Sequence, residues 1–158
     1  EMAPNFSAGH LIRDAHRAMQ RHLEDAISQH GVSRGQWYFL RVLWEGDGLT
    51  QRELSARVGM MEPTTVVALN GMEKTDLIRR ERDPNDRRKI HIYLTEKGSA
   101  LRETLLPSAR GVNDVATEGI PEGDMEGFRR AINRMIENLD GPSSGQAAPV
   151  AAPAPENN

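Results

Sequence analysis

The sequence contains no cysteine. That excludes a disulfide framework, thiolate metal ligands, a thiol nucleophile and any cysteine-based redox switch. Aromatic residues are scarce: three Phe, two Trp and two Tyr in 158 residues. No apolar run approaches the roughly 20 residues of a membrane-spanning helix. The first ten residues, EMAPNFSAGH, do not follow the basic-then-apolar order of a secretory signal. A cytoplasmic protein that does not enter membranes is expected. Five histidines are present, but no HExxH pattern. His10, His16 and His22 recur every six residues, about 600° of helix, so they do not share a face. No metal site, no cofactor and no paired nucleophile and base are expected, which points away from an enzyme.

The net charge of −3 is unevenly spread. Residues 50–97 hold ten Lys/Arg against eight Asp/Glu. Within Arg79–Lys89 six basic residues face three acidic ones. A mildly acidic chain with one basic segment points to a local polyanion contact.

Hydrophobic spacing divides the chain into helices. Ile12, Ala15, Met19, Leu23, Ala26 and Ile27 recur at three- and four-residue steps, predicting a helix over 10–30 with one buried stripe. Ser33 and Gln36 form a capping box for a second helix through Trp44. That helix is apolar nearly all round, which predicts a central place. Thr50 and Glu53 repeat the capping spacing ahead of a short helix that Gly59 breaks. A fourth helix starts at Glu62-Pro63, since proline suits the first helical turn. Two short helices around a tight glycine turn are a helix-turn-helix.

Ile78–Arg82 and Lys89–Leu94 then flank Asp83-Pro-Asn-Asp86. Ile90, Ile92 and Leu94 alternate with polar partners, a strand period, and the intervening residues are turn formers. A two-stranded hairpin, or wing, is predicted. Thr95 caps a fifth helix, with Leu101, Leu105, Ala109 and Val112 as its stripe and Pro107 inside it as a source of a kink. Met125, Phe128, Ile132, Met135 and Leu139 form a seam on a sixth, of the kind that meets another helix. The last 18 residues, 141–158, hold four of the nine prolines and no large apolar side chain beyond Val150. They are expected to be disordered, as are residues 1–9.

A helix-turn-helix followed by a basic hairpin suits double-stranded DNA. A helix fits the major groove, where base edges carry a distinguishable code. Arginine is drawn into the minor groove by its negative potential. Thr64 and Thr65 stand on the first turn of the fourth helix, placed to reach base edges. Asn70 and Lys74 lie one to two turns further on. Asp86, Arg87, Arg88 and Lys89 form the hairpin tip, and Thr50, Gln51, Glu62 and Pro63 complete the candidate DNA-contacting set.

The segment LTQRELSARVGMMEPTTVVALNGMEKTDLIRRERDPNDRRKIHIYLTEKG resembles the DNA-binding core of the MarR family, above all in DPNDRR and the strand ending LTEKG. Similarity extends over most of 10–140. The resemblance implies a mainly α fold, a winged helix-turn-helix with a two-stranded β-wing. It implies a DNA-binding core at about 33–98 and dimerisation helices at about 10–30 and 99–140, intertwined in a homodimer. It further implies a pseudo-palindromic operator and, most often, a repressor released by a small ligand, frequently an aromatic acid. Arg88 resembles the wing-tip arginine that enters the minor groove, and Asp86 the acid that orients it. Thr64 and Thr65 match the small hydroxyl pair that starts the recognition helix. Two positions depart from the family pattern. Ala68 stands where many relatives carry an arginine, and Asp76 where a glycine often precedes the wing.

Four of the seven aromatics, Trp37, Tyr38, Phe39 and Trp44, lie on the second helix. Trp37, Arg41 and Trp44 share a face at i, i+4 and i+7. An arginine among aromatics on a buried helix needs an acceptor, either an internal carboxylate or a ligand anion. In this family the ligand cleft lies between the first, second and fifth helices. Trp37, Arg41 and Trp44, with His10 and Arg13 on the first helix, are the candidate effector residues. The expected effector is an aromatic carboxylate or its acyl-CoA thioester. A ligand-independent regulator, an activator and a winged-helix protein-interaction module are the alternatives.

Overall fold

The computed structural model describes residues 7–141, so residues 1–6 and the tail from 142 onward lie outside the described residues. Six helices and three strands follow in the order α1 (Ala8–Ser28), α2 (Arg34–Glu45), β1 (Leu49–Thr50), α3 (Gln51–Val58), α4 (Glu62–Lys74), β2 (Ile78–Arg82), β3 (Ile90–Leu94), α5 (Glu96–Thr117) and α6 (Glu122–Asp140). They divide into two compact units at Ala116–Thr117. No helix among the described residues is long and apolar enough to cross a membrane.

Local signals account for most element ends. Both predicted capping boxes form: Ser33 and Gln36 close the start of α2, and Thr50 and Glu53 the start of α3. Gly59 ends α3 in the left-handed region at φ 74°, where glycine carries no Cβ penalty. Ser7 caps α1, so residues 8 and 9, expected as a flexible arm, form its first turn. Thr95 accepts from the Gly98 amide at 3.0 Å at the head of α5, which runs unbroken through Pro107.

The core of the first unit gathers around α2. Trp37, Phe39, Leu40 and Leu43 are buried there with Leu54 of α3, Leu69 and Met72 of α4, Ile78 and Ile92 of the sheet, and Leu105 of α5. The central place expected for α2 follows from its apolar surface on several sides. The predicted stripe of α1 behaves differently. Ile27 is buried, but Ile12 and Met19 stay exposed, together with Leu11. In the second unit, α6 by itself buries no residue, and Phe128, Ile136 and Leu139 are exposed.

The predicted hairpin forms from β2 and β3, and β1 adds to its β3 edge, giving a three-stranded antiparallel sheet of order β1-β3-β2. Leu49 pairs with Ile92 and Thr50 with His91. A two-residue strand is too short to show alternation, so only its partner strand reveals it. On the other edge Arg80 pairs with Ile92 and Glu81 with His91. At the exit of α4, Asp76 adopts φ 60°. The left-handed conformation that glycine would supply is therefore kept, by a residue type that tolerates it better than most.

The start of α5 approaches the end of the α4–β2 connection closely at Gly98. A Cβ added there would lie 2.0 Å from the Leu77 carbonyl oxygen. The Trp44 indole N–H donates to the Gly98 carbonyl at 2.9 Å, so three elements meet at this glycine. Gly98→Ala forces backbone apart and is expected to lower stability by about 1–3 kcal/mol, the usual range for an overpacked site. A thermal melt of this variant checks it; an unchanged midpoint contradicts the close approach.

Candidate nucleic-acid interface

The hairpin tip is shaped by two carboxylates. Asp83 Oδ1 accepts from the backbone N–H of Asn85 at 2.8 Å and of Asp86 at 3.0 Å, a local turn that aspartate builds readily. Asp86 Oδ1 accepts from the Arg88 backbone N–H at 3.0 Å and from its Nε at 3.1 Å, and Oδ2 accepts from Nη2 at 3.3 Å. The Arg88 side chain is nevertheless 90% exposed. Asp86 thus sets the direction of the guanidinium while leaving its outer face free. The Arg88 guanidinium, then its backbone N–H, holds the Asp86 carboxyl below its ordinary pKa. Arg79 is paired with Glu81 and lies over the Tyr93 ring at 4.7 Å, so it is not an open basic contact.

A cleft of about 500 Å³ lies between this tip and the helix-turn-helix, lined by Thr50, Gln51, Arg52, Glu62, Asp86, Arg88, Lys89 and Ile90. Six of the expected DNA-contacting residues are brought together here. Arg52 was not among the expected residues; its place on the first turn of α3, beside Gln51, is the signal that could have found it. Pro63 and Thr64 are exposed at the start of α4, and Arg87 at the tip. A second, open depression runs along α4 past Val67, Asn70, Gly71, Glu73 and Lys74.

Thr65 is a correction. It is completely buried, its hydroxyl 2.8 Å from that of Ser55 and donating to the Met61 carbonyl at 3.2 Å. The hydroxyl pair at 64–65 divides by helical rotation. Thr64 faces out, while Thr65 ties α4 to α3 and cannot reach a base. Asn70 is also engaged: Arg80 Nη1 on β2 donates to its Oδ1 at 2.8 Å and to Glu73 Oε2 at 2.9 Å. Sequence reasoning missed Arg80, because its partners lie seven and ten residues away on another element.

The expected effector residues are placed as follows. Trp37 and Trp44 meet edge to face at 5.8 Å, with the Arg41 guanidinium 5.9 Å from the Trp37 ring. The predicted shared face is real, but Trp37 is buried in the core, and the Trp44 N–H is taken by Gly98. Arg41 is exposed, so water satisfies it and no buried anion is required. His10 interacts with Ser7, and Arg13 pairs with Asp14, both on the exposed flank of α1. Another cleft, about 540 Å³, opens between α1 and α2, lined by His16, Arg17, Gln20, Arg21, Arg34 and Tyr38. There Gln20 Nε2 donates to the Tyr38 hydroxyl at 2.6 Å, and Gln20 Oε1 is buried without a hydrogen-bond partner.

His91 locks the wing to the strand beside it. Its Nδ1 lies 2.9 Å from the Gly48 carbonyl, and its Nε2 lies 2.8 Å from Asp83 Oδ2. Both partners only accept, so both ring nitrogens donate and the imidazolium form fits. The Asp83 carboxylate, then the Gly48 carbonyl, raises the His91 pKa above 6.5. His91 and two backbone N–H groups lower that of Asp83 from 3.8 to about 2. The His91 contribution is complete below its ordinary value and is lost as pH rises through the raised one. The Asp83 contribution is present above 3.8 and is lost as pH falls toward 2. The latch is therefore whole at mildly acidic pH. Histidine ring resonances followed by NMR against pH should show His91 titrating above 6.5, and Asp83→Asn should lower that midpoint. A midpoint at or below 6.5 in the parent protein contradicts the latch.

Residues 30–89, covering the whole of α2, α3 and α4 and the wing turn, match the model of the MarR family. The HTH-type transcriptional regulator TtmR of Methylorubrum extorquens is 32% identical over 97 residues, 61% of this chain and 46% of TtmR. This chain therefore spans about half the length of that relative. The homoprotocatechuate degradative operon repressor of Escherichia coli is 30% identical over 57% of this chain and 61% of its own. In fold, the chain is similar to the Staphylococcus aureus MepR–DNA complex structure, with a TM-score of 0.78 at 24% identity, over 85% of this chain and 99% of that one. With its helix-turn-helix, wing and exposed tip arginine, the chain is similar to the MarR family over the stretch that the family's model matches.

Proposed function

We propose that the protein is a homodimeric, cytoplasmic repressor that binds a pseudo-palindromic operator and is released by a small aromatic acid or its coenzyme A thioester. The observation that carries the DNA-binding reading is Arg88, held in direction by Asp86 yet 90% exposed, at a tip beside the open face of α4. A guanidinium so directed suits the minor groove while α4 occupies the adjacent major groove. The relatives' names, including a repressor of an operon for degrading an aromatic acid, support the sign of regulation and the effector class.

Two copies are needed to read two half-sites, roughly 34 Å apart for one helical turn. Ile12 and Met19 on α1, and Phe128, Ile136 and Leu139 on α6, are apolar surface that a second copy would cover. The basic α1–α2 cleft replaces the tryptophan face as the effector site, because Arg17, Arg21 and Arg34 line it together. An aromatic carboxylate, or the phosphates of a thioester, would be held there by charge-assisted hydrogen bonds. Binding that favours one separation of the two recognition helices would release the operator.

Arg88→Ala is expected to weaken operator affinity about ten- to a hundredfold, the worth of a charge-assisted contact. Asp86→Ala should cost less, since it removes only the orientation. Anisotropy titrations on operator DNA read both, and an unchanged Arg88→Ala affinity rejects the assignment. Sedimentation should show a dimer at micromolar concentration; a monomer contradicts the assembly.

For the effector, Arg21→Ala should keep operator affinity while raising the concentration of homoprotocatechuate or a related aromatic acid needed for release. The fluorescence of Trp37 and Trp44 should report binding. Equal sensitivity in parent and variant excludes this cleft.

A further inference from the structure

The outward face of α4 is nearly uncharged. Pro63, Thr64, Val67 and Asn70 are exposed along it, Val67 by 72%, with Glu62 before them and Lys74 after. Ala68 is half-buried. Asn70 is therefore the one side chain in the middle of this face able to form two hydrogen bonds with a single base. What it can offer a base is set by Arg80.

We infer that Asn70 reads one operator base as a hydrogen-bond donor, selecting guanine, and that Arg80 is the positioning residue that makes it a donor. This rests on the DNA-binding reading above. A guanidinium has no acceptor, so the Asn70 atom 2.8 Å from Arg80 Nη1 is the amide oxygen, and the orientation of this amide is not ambiguous. Its Nδ2 is left as the outward end. Arg80 is itself constrained: its side chain is 19% exposed, it pairs with Glu73 on the same helix, and its Nε is buried without a partner. Both hydrogen bonds run from Nη1, from a strand residue whose backbone is in register with the buried Ile92.

The chemistry of base edges then decides. An asparagine reads adenine with both ends of its amide, the oxygen accepting from N6 and the nitrogen donating to N7. With one lone pair of its oxygen taken by Arg80 and that end of the amide drawn toward β2, Asn70 offers the base edge its nitrogen first. Guanine shows two acceptors, N7 and O6, side by side in the major groove. A donor-only amide matches that edge and gains nothing from the N6 amino group of adenine. Glu73, held by the same Nη1, keeps the guanidinium from swinging out to phosphate.

The experiment is selection from a random duplex pool by the intact protein and by Asn70→Ala, Arg80→Ala and Arg80→Lys, each first checked for folding by circular dichroism. The parent should enrich a motif with guanine at one position of each half-site. Asn70→Ala should lose that preference, by roughly five- to tenfold in relative affinity, and leave the other positions unchanged. Arg80→Ala frees the amide and should move the preference at that position toward adenine, whereas Arg80→Lys, which still donates, should retain guanine. Replacing that guanine by 7-deazaguanine should weaken the parent but not Asn70→Ala, and this comparison decides the matter if Arg80→Ala does not fold. The same motif from the parent and a folded Arg80→Ala, or adenine at the Asn70-dependent position in the parent, overturns the inference. A parent that enriches a motif none of whose positions depends on Asn70 overturns the inference alone. A parent that enriches no sequence overturns the DNA-binding reading and the inference together.

Discussion

Strand β3 is the constraint from which the rest of the first unit takes its position. It is the middle strand, pairing β1 on one side and β2 on the other. Thr50, opposite His91, is also the cap of α3, so one residue pair sets where the helix-turn-helix begins. Arg80, opposite Ile92, carries the link to α4, so the next pair sets how the recognition helix is held. Ile92 itself is fully buried between them. Because side chains alternate faces along a strand, a one-residue slip would turn Ile92 outward and bring His91 into the core. The wing and α4 are therefore both anchored to one strand.

The charges of the wing are arranged for direction more than for stability. Arg79 with Glu81, Arg80 with Glu73 and Arg88 with Asp86 are all at least partly solvent-exposed pairs. Pairs of this kind contribute on the order of 0–1 kcal/mol. What they set is direction: Asp86 holds Arg88 with its outer face exposed, and Arg80 holds the Asn70 amide oxygen. This also reconciles an acidic chain with a nucleic-acid contact. Half of the segment's six basic side chains are paired locally, while Arg52, Lys89 and the outer face of Arg88 line one cleft.

Much of this was legible in the chain because its determinants are local. Ser33 with Gln36 and Thr50 with Glu53 are reciprocal bonds three residues apart, so the spacing alone announces them. The turn from Asp83 to Asp86 is written in residue types that bond to their own backbone. The helix ends at Gly59 and the strand from Ile90 to Leu94 read out for the same reason. Thr65 and Arg80 were illegible for the opposite reason. Adjacent helical residues differ by about 100° in direction, so a hydroxyl pair says nothing about which member faces outward until α3 is packed alongside. Arg41 looked buried because its neighbours are apolar, yet the helix turns it to water.

By itself the sequence determined the element types, the caps, the hairpin and its basic tip, since each depends on contacts within a few residues. It also determined that no thiol chemistry operates here, since there is no sulfhydryl. The tertiary structure alone decided that Leu49–Thr50 join the wing, that Thr65 is a helix tie, that the Asn70 amide oxygen is held by Arg80, and that the arginines of α1 and α2 share a cleft while the tryptophans do not open one. Those outcomes depend on which surfaces meet across tens of residues, through excluded volume at Gly98 and directional hydrogen bonds from Arg80 and His91. Neither periodicity nor composition encodes such pairings, because both describe one segment at a time.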